Sequence, residues 1–356
     1  DHYGVDATRL ALASIGSTDT RWNENQVESY RNFANKIWNA ARFSLLNSEG
    51  AAVGRGFEGD SAEWALHDRW IVSRLNQAAR SVNRSLDAYD FYAAVQTLYH
   101  FFWDDFCDWY IELSKADVTA PDVSPERDAA RSRLVTVLEQ ALRLLHPFMP
   151  YITEELWQRL PGAGPGLLHE AYSGAGPTVM LTSYPEGREE LIDERAEWEM
   201  QAIIELVSRV RNIRSELNVK PSQAIEIMLV YTDERLNDLF FSDTNTGRII
   251  RLTRASGFRR VNSLSQVPRA SARAVLSDGV EIAVPLEGLI DFAQERDRLG
   301  RERDKLQKEA AKLEAQLANP QFAERAPAEK VKEVRDRLDD IAQRAAALQQ
   351  MMEALK

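Results

Sequence analysis

Between residues 23 and about 160, apolar positions recur at helical spacing, with few Gly or Pro until Pro147, Pro150 and Pro161. Breaks fall at 51–59, rich in small residues, and at 119–125, which holds two prolines. The pattern predicts a bundle of at least four long helices, over about 24–47, 62–84, 89–114 and 126–145. A short helix is expected from Thr153, and another over 6–15 ahead of the bundle. In the first long helix, Val27, Tyr30, Ala34, Ile37, Trp38, Ala41 and Leu45 share a stripe about 100° wide, the predicted core face. Two Gly- and Pro-rich stretches, 161–166 and 173–177, then bracket sequence that cannot sustain a helix and mark a boundary.

Beyond it the period changes. A helix over about 190–217 stops near Pro221, and 224–231 alternates like a strand. Strand-like runs at 272–277 and 280–286 flank Asp278-Gly279, a strong hairpin signal, so a small α/β unit is predicted. In the last segment Phe292, Leu299, Leu306 and Leu313 recur every seven residues, with Leu289, Ala310 and Leu317 on the companion seam, which Arg296 and Arg303 interrupt. The repeat resumes in Val331, Leu338, Ala345 and Met352, with Val334, Ile341, Leu348 and Leu355 beside it. Two heptad helices separated by a stretch holding Pro320 and Pro327 imply an antiparallel coiled-coil hairpin. Its first arm would be about 40 Å long. The fold class is therefore mostly α: a helical bundle over 23–188, a small α/β domain over 189–288 and a coiled-coil arm over 289–356, with 1–22 leading in.

Charge narrows the possible partners. Lys+Arg 44 against Asp+Glu 55 gives a net charge of −11 over 356 residues, which excludes a globally basic DNA-coating protein. Any nucleic acid must be met by a local patch. Residues 200–275 carry twelve Lys+Arg against seven Asp+Glu, a local surplus that suits either a solvated surface or such a patch. Residues 289–356 carry fourteen of each sign, so the arm is not a basic rod. The lone cysteine, Cys107, forbids an internal disulfide and suits a reducing compartment, with the cytoplasm as the expected location. No apolar stretch approaches the roughly 20 residues of a membrane span, and the start at Asp1 inside helix-like sequence suggests a piece of something longer.

Catalytic constellations are scarce. His2, His67, His100, His146 and His169 are scattered without metal-ligand spacing, and no phosphate-cradling Gly-rich loop occurs. Cys107, within an aromatic helix, is expected to be a buried small hydrophobe. More informative is the face opposite the predicted core stripe of the first long helix: Asn32, Asn35, Lys36, Asn39, Arg42 and Phe43. Asparagine is a poor helix former, whereas Asn and Arg read base edges and an aromatic on a polar face stacks an unpaired base. The set suits a reader of single-stranded RNA. The alternative is that Asn35 and Asn39 bond neighbouring helices and Phe43 packs beneath the 48–60 loop.

Specific motifs decide between such readings. Arg31-Asn32-Phe33-Ala34-Asn35-Lys36-Ile37-Trp38-Asn39-Ala40-Ala41-Arg42-Phe43 resembles the opening of the anticodon-binding helical domain of the valyl-tRNA synthetase family. His146-Pro147-Phe148-Met149-Pro150-Tyr151-Ile152-Thr153-Glu154-Glu155-Leu156-Trp157 resembles a signature shared with the isoleucyl, leucyl and methionyl enzymes. Asp105-Phe106-Cys107-Asp108-Trp109-Tyr110, Arg211-Asn212-Ile213-Arg214 and the hairpin turn at Phe322-Ala323-Glu324-Arg325-Ala326-Pro327 support the valyl assignment. The segment Asp1-His2-Tyr3-Gly4-Val5-Asp6-Ala7 is similar to the stretch just downstream of the Lys-Met-Ser-Lys-Ser loop, so 1–22 would connect to a catalytic core that this fragment lacks.

The resemblance implies ATP- and Mg²⁺-dependent attachment of valine to its tRNA by a monomeric full-length enzyme. Neither cofactor would bind this fragment, which alone would be inactive. The implied partner is valine tRNA, with no DNA and no membrane. The bundle would dock the anticodon stem-loop, with Asn32, Asn35, Lys36, Asn39, Arg42 and Phe43 nearest the anticodon. The arm would lie along the outer corner of the tRNA, with Arg296, Arg301, Arg303, Lys305, Lys308, Lys312, Arg325 and Lys330 as candidate contacts and Lys332 beside them. His146, Pro147 and Trp157 would cap and pack the bundle. Rival readings are the same region of an isoleucyl-type enzyme, and a non-catalytic RNA-binding or scaffold protein that dimerises through its heptads.

Overall fold

The computed structural model describes residues 2–16, 23–169, 171, 176–289, 291–319 and 328–354, and divides into two units, Asp1–Gln201 and Ala202–Lys356. The first is a helical bundle: α1 (Val5–Ala13), α2 (Glu24–Leu46), α3 (Leu66–Asp87), α4 (Phe91–His100), α5 (Ile111–Val118), α6 (Pro125–Leu145) and α7 (Pro150–Trp157). Short polar side chains set the helix starts. Asn23 accepts the amide of Asn25 ahead of α2, Asp90 that of Ala93 ahead of α4, and Ser124 that of Arg127 ahead of α6, with Pro125 in the first turn. Pro150 likewise opens α7 rather than breaking it, so that helix starts before Thr153.

α6 is buried almost all round, with Leu134, Val135, Val137, Leu138, Leu142 and Leu144 fully enclosed, and it forms the bundle axis. Its buried charges are paired. Arg133 Nη1 lies 2.7 Å from Asp68 Oδ2, and the Tyr110 hydroxyl donates to Asp68 Oδ1 at 2.8 Å. Glu139 accepts from the indole of Trp157 at 2.7 Å and pairs with Arg143 at 2.8 Å. Leaving any of these charges unpaired would cost about 3–5 kcal/mol, so the pairs fix how α3, α6 and α7 meet.

α4 and α5 are one continuous rod through a π-helical stretch, Phe101–Tyr110. The wider turn carries Phe102 and Trp103 against α2, where Phe33 lies 4.8 Å from Tyr99, 5.9 Å from Phe102 and 6.2 Å from Trp103 between ring centroids. These aromatic neighbours rotate the buried face of α2. Val27, Tyr30, Phe33, Ile37, Ala40, Ala41 and Ser44 are buried, whereas Trp38, expected in the core, is 44% exposed, and Ala34 and Leu45 are only half-buried.

The division between units falls within α8 (Glu194–Glu216). The second unit continues with β1 (Ile225–Val230), α9 (Arg235–Phe241), α10 (Asp243–Thr253), β2 (Ala255–Arg260), β3 (Ser271–Val275) and β4 (Glu281–Pro285). The sheet order is β2-β1-β4-β3, with β1 and β2 parallel and the other neighbours antiparallel. Val275 pairs with Glu281 across the Asp278-Gly279 turn, where Gly279 takes φ 76, a left-handed conformation that glycine adopts without steric cost. Two helices of 27 residues, α11 (Phe292–Ala318) and α12 (Ala328–Ala354), pack against each other as a hairpin. Asp291 caps the first by accepting the amides of Ala293 and Gln294. Leu299 and Ile341 are the buried seam residues, and Arg337 bonds Glu309 across the pair at 2.9 Å. The heptad seam is filled within one chain, which removes the reason to read it as a dimerisation handle.

Candidate nucleic-acid interface

The outward face of α2 is the most distinctive polar surface of the first unit. Asn32, Asn35, Asn39 and Arg42 are all exposed, and among the described residues none of the four side chains meets a hydrogen-bonding or ionic partner. Asn35 and Asn39 therefore do not tie α2 to neighbouring helices. At 3.6 residues per turn, the exposed Trp38 falls about 40° round the helix from Arg42 and about 60° from Asn35. The face thus couples amide and guanidinium groups to an accessible indole. Such a set can hydrogen-bond base edges and stack an unpaired base. Counting apolar residues assigned Trp38 to the core; only the aromatic cluster around Phe33 shows that it faces out.

Two of the six candidates on this helix sit at the border of the face. Lys36 is half-buried, pairs with Asp108, and holds its ammonium 3.9 Å from the Trp103 ring centroid. Its charge is met within the bundle by Asp108. Phe43 is half-buried, with Lys115 Nζ 5.9 Å from its ring centroid. Beside Lys36, burial pushes the Cys107 thiol up to about 12 despite the nearby ammonium. At neutral pH it is a thiol and not a nucleophile.

The arm candidates divide by their place on the heptad. Arg301, Lys305, Lys308 and Lys312 are exposed, and at 3.6 residues per turn they fall within about 60° of one another on the side away from the Leu299, Leu306 and Leu313 seam. Among the described residues these four have no partner. They form one outward basic stripe about 16 Å long, at 1.5 Å per residue. Lys330 and Lys332 on α12 are exposed too. Arg303 instead lies against the seam, donating to Gln349 Oε1 and pairing with Asp304, both at 3.1 Å. Arg296 is half-buried and already engaged. Arg303 thus braces the hairpin rather than facing outward. Arg325 lies outside the described residues.

The motif at 146–157 is structural. His146 Nδ1 is 2.8 Å from the Thr153 hydroxyl, the Pro147 carbonyl accepts from Arg9 at 3.0 Å, and Trp157 is fully buried on Glu139. Much of the positive surplus at 200–275 is spent internally: Arg209 on Glu205, Arg235 on Asp233, Arg259 on Glu226 and Arg260 on Glu234. Among the described residues no group of His, Cys, Asp or Glu is placed to hold a metal ion, and no helix is long and apolar enough to cross a membrane.

Comparison with known proteins places the chain among tRNA-binding families. The family described as the anticodon-binding domain of tRNA ligase matches residues 68–229, and the valyl tRNA synthetase tRNA binding arm matches 291–356. α2 precedes the first match, but whole-chain relatives include it. The chain is 40% identical over its full length to a valine–tRNA ligase of Geobacter sulfurreducens, of which it covers 39%. It is 37% identical to that of Thermotoga maritima and 38% to that of Bacillus subtilis, again over its full length and covering 38% of each. It therefore spans about two-fifths of the length of the relatives it matches. Over that span the chain belongs to the valyl-tRNA synthetase family, as the region that carries the anticodon-binding domain and the tRNA-binding arm.

Proposed function

We propose that this chain is the tRNA-gripping part of an ATP- and Mg²⁺-dependent valine–tRNA ligase, and that its cognate partner is valine tRNA. The observation that carries the proposal is the Asn32, Asn35, Asn39 and Arg42 face, unpartnered among the described residues, with the exposed Trp38 at its edge, on a bundle whose other charged side chains are largely paired. That face takes the anticodon loop, where unstacked bases offer both edges and faces. Arg301, Lys305, Lys308 and Lys312 take backbone phosphates elsewhere on the same tRNA. Chemistry on valine and ATP lies outside these residues, so the chain alone binds but does not ligate.

Competition tests this division. A valine anticodon stem-loop is expected to displace full-length tRNA from the chain, and the Asn35→Ala/Asn39→Ala double variant is expected to lose that competition while keeping its helical circular dichroism. A stem-loop that fails to compete at concentrations well above the affinity of the whole tRNA would refute the anticodon role of α2.

A further inference from the structure

Arg211-Asn212-Ile213-Arg214, at the end of α8, has no part in either tRNA surface above. Within the second unit it borders a cleft of ≈ 400 Å³ lined by Arg211, Arg214, Ser215 and Arg254 together with residues 219, 221, 252 and 253. None of the lining residues is acidic. Arg214 is 8% exposed, and its Nη2 donates to the carbonyls of Lys220 and Gln223, each at 2.9 Å. Its Nη1 is buried without a hydrogen-bond partner among the described residues. Arg254 Nη1 donates to the Pro221 carbonyl at 3.0 Å, and Arg211 Nε to the Leu252 carbonyl at 3.3 Å. Carbonyls orient the Arg214 and Arg254 guanidinium groups but do not cancel their charge. Burial and the neighbouring Arg254 charge both pull Arg214 below the usual guanidinium range.

Arg254 itself sits in a costly conformation. It is the C-cap of α10 at φ 55 and ψ 43, the left-handed region where helices commonly end on glycine. A long cation held there, beside a second cation and an unmet buried N–H, is an arrangement for receiving an oxyanion. A tetrahedral oxyanion supplies acceptors to several guanidinium groups at once.

We infer that the cleft bounded by Arg211, Arg214 and Arg254 is a phosphate site that holds one backbone phosphodiester of the bound RNA, a contact separate from both the α2 face and the arm. This assignment of the phosphate's source rests on the tRNA-binding reading above. The variant that tests it is Arg254→Gly, because glycine suits the left-handed cap and removes the cation together with its one bond to the Pro221 carbonyl. Arg211→Gln serves as a second, exposed variant should the first not fold.

Binding of this chain to valine tRNA is measured at 50 and 200 mM salt. Loss of one phosphate contact is expected to shrink the affinity ratio between the two salts about threefold, with melting temperature held and with discrimination against an anticodon-swapped tRNA unchanged. An unchanged salt ratio for Arg254→Gly and Arg211→Gln, while Arg42→Gln still weakens binding, would overturn the cleft assignment and leave the anticodon reading standing. No binding of wild type to any tRNA would instead sink the tRNA reading, and the RNA phosphate with it. Inorganic phosphate separates the sources. If it raises the melting temperature of wild type but not of Arg254→Gly while the tRNA salt ratio is unmoved, the cleft serves a free anion and the RNA assignment is wrong.

Discussion

An asparagine in a helix interior costs some tenths of a kcal/mol relative to alanine, and α2 carries Asn32, Asn35 and Asn39 with nothing in the described structure to repay them. Their company is Arg42 and the 44% exposed Trp38. Trp38→Ala is expected to weaken tRNA binding by about 1–3 kcal/mol, the range for one base stacked on an aromatic ring, without lowering the melting temperature; titration calorimetry with a valine tRNA measures it. The candidate site was partly legible in the sequence. The polar stripe is where the helical period puts it, but Trp38 and Lys36 exchange roles: the indole faces out, and the lysine is neutralised by Asp108 over the Trp103 ring. Both shifts depend on which neighbours pack against α2, which no periodicity reveals.

Two half-buried titratable groups make separate tests. Burial holds His146 below the usual imidazole range. The unfolded chain then takes up this proton at higher pH than the folded one, so the neutral ring's contribution to stability is intact above about pH 6.5 and shrinks as the pH falls below it. The melting temperature of wild type should drop more steeply between pH 7.5 and 5.5 than that of His146→Gln; parallel curves would remove His146 from the account. Cys107, with its thiol at about 12, should react with iodoacetamide at pH 8 far more slowly than a free cysteine, as mass spectrometry would show.

Among the elements, the coiled-coil arm is the most transparent to sequence, because a seven-residue repeat has few other physical outcomes. Its heptads also sort the cations, placing Arg296 and Arg303 at the seam and Arg301, Lys305, Lys308 and Lys312 outside. Each outward cation that meets a duplex phosphate contributes about 0.9 to the slope of log affinity against log salt. The quadruple glutamine variant of the four should therefore lose up to about 3.6 units of slope, whereas Arg303→Gln should destabilise the hairpin and leave the slope nearly unchanged. Equal slopes for wild type and the quadruple variant would take the outward stripe out of contact with RNA. The rod over 91–118 was harder to read. Its helical extent follows from the pattern, but the π-helical turn at Phe101–Tyr110 depends on the fit of Phe102, Phe106 and Tyr110 into the bundle.

At the scale of the molecule, the helical bundle, the hairpin at Asp278-Gly279 and the arm follow from period and turn chemistry. The small α/β unit was seen only in outline. β2, with Gly257 and two arginines among its six residues, does not alternate; it lies at the sheet edge and is half-exposed. The two short helices before it, α9 and α10, lack the length for a period to show. A net charge of −11 is compatible with gripping RNA because Arg301, Lys305, Lys308 and Lys312 line one side of α11 and Arg42 stands on the α2 face, while many other cations are tied to carboxylates or carbonyls.

The central claim is that recognition of the anticodon resides in this region. Its most direct test is equilibrium binding of the chain to a valine tRNA transcript, the same transcript with its anticodon swapped, and an isoleucine tRNA, each at two salt concentrations. The valine transcript is expected to bind tightest, with the swap weakening it and the Trp38→Ala variant erasing that difference. Equal, salt-sensitive binding to all three would contradict the claim, leaving this region a grip on RNA shape and charge.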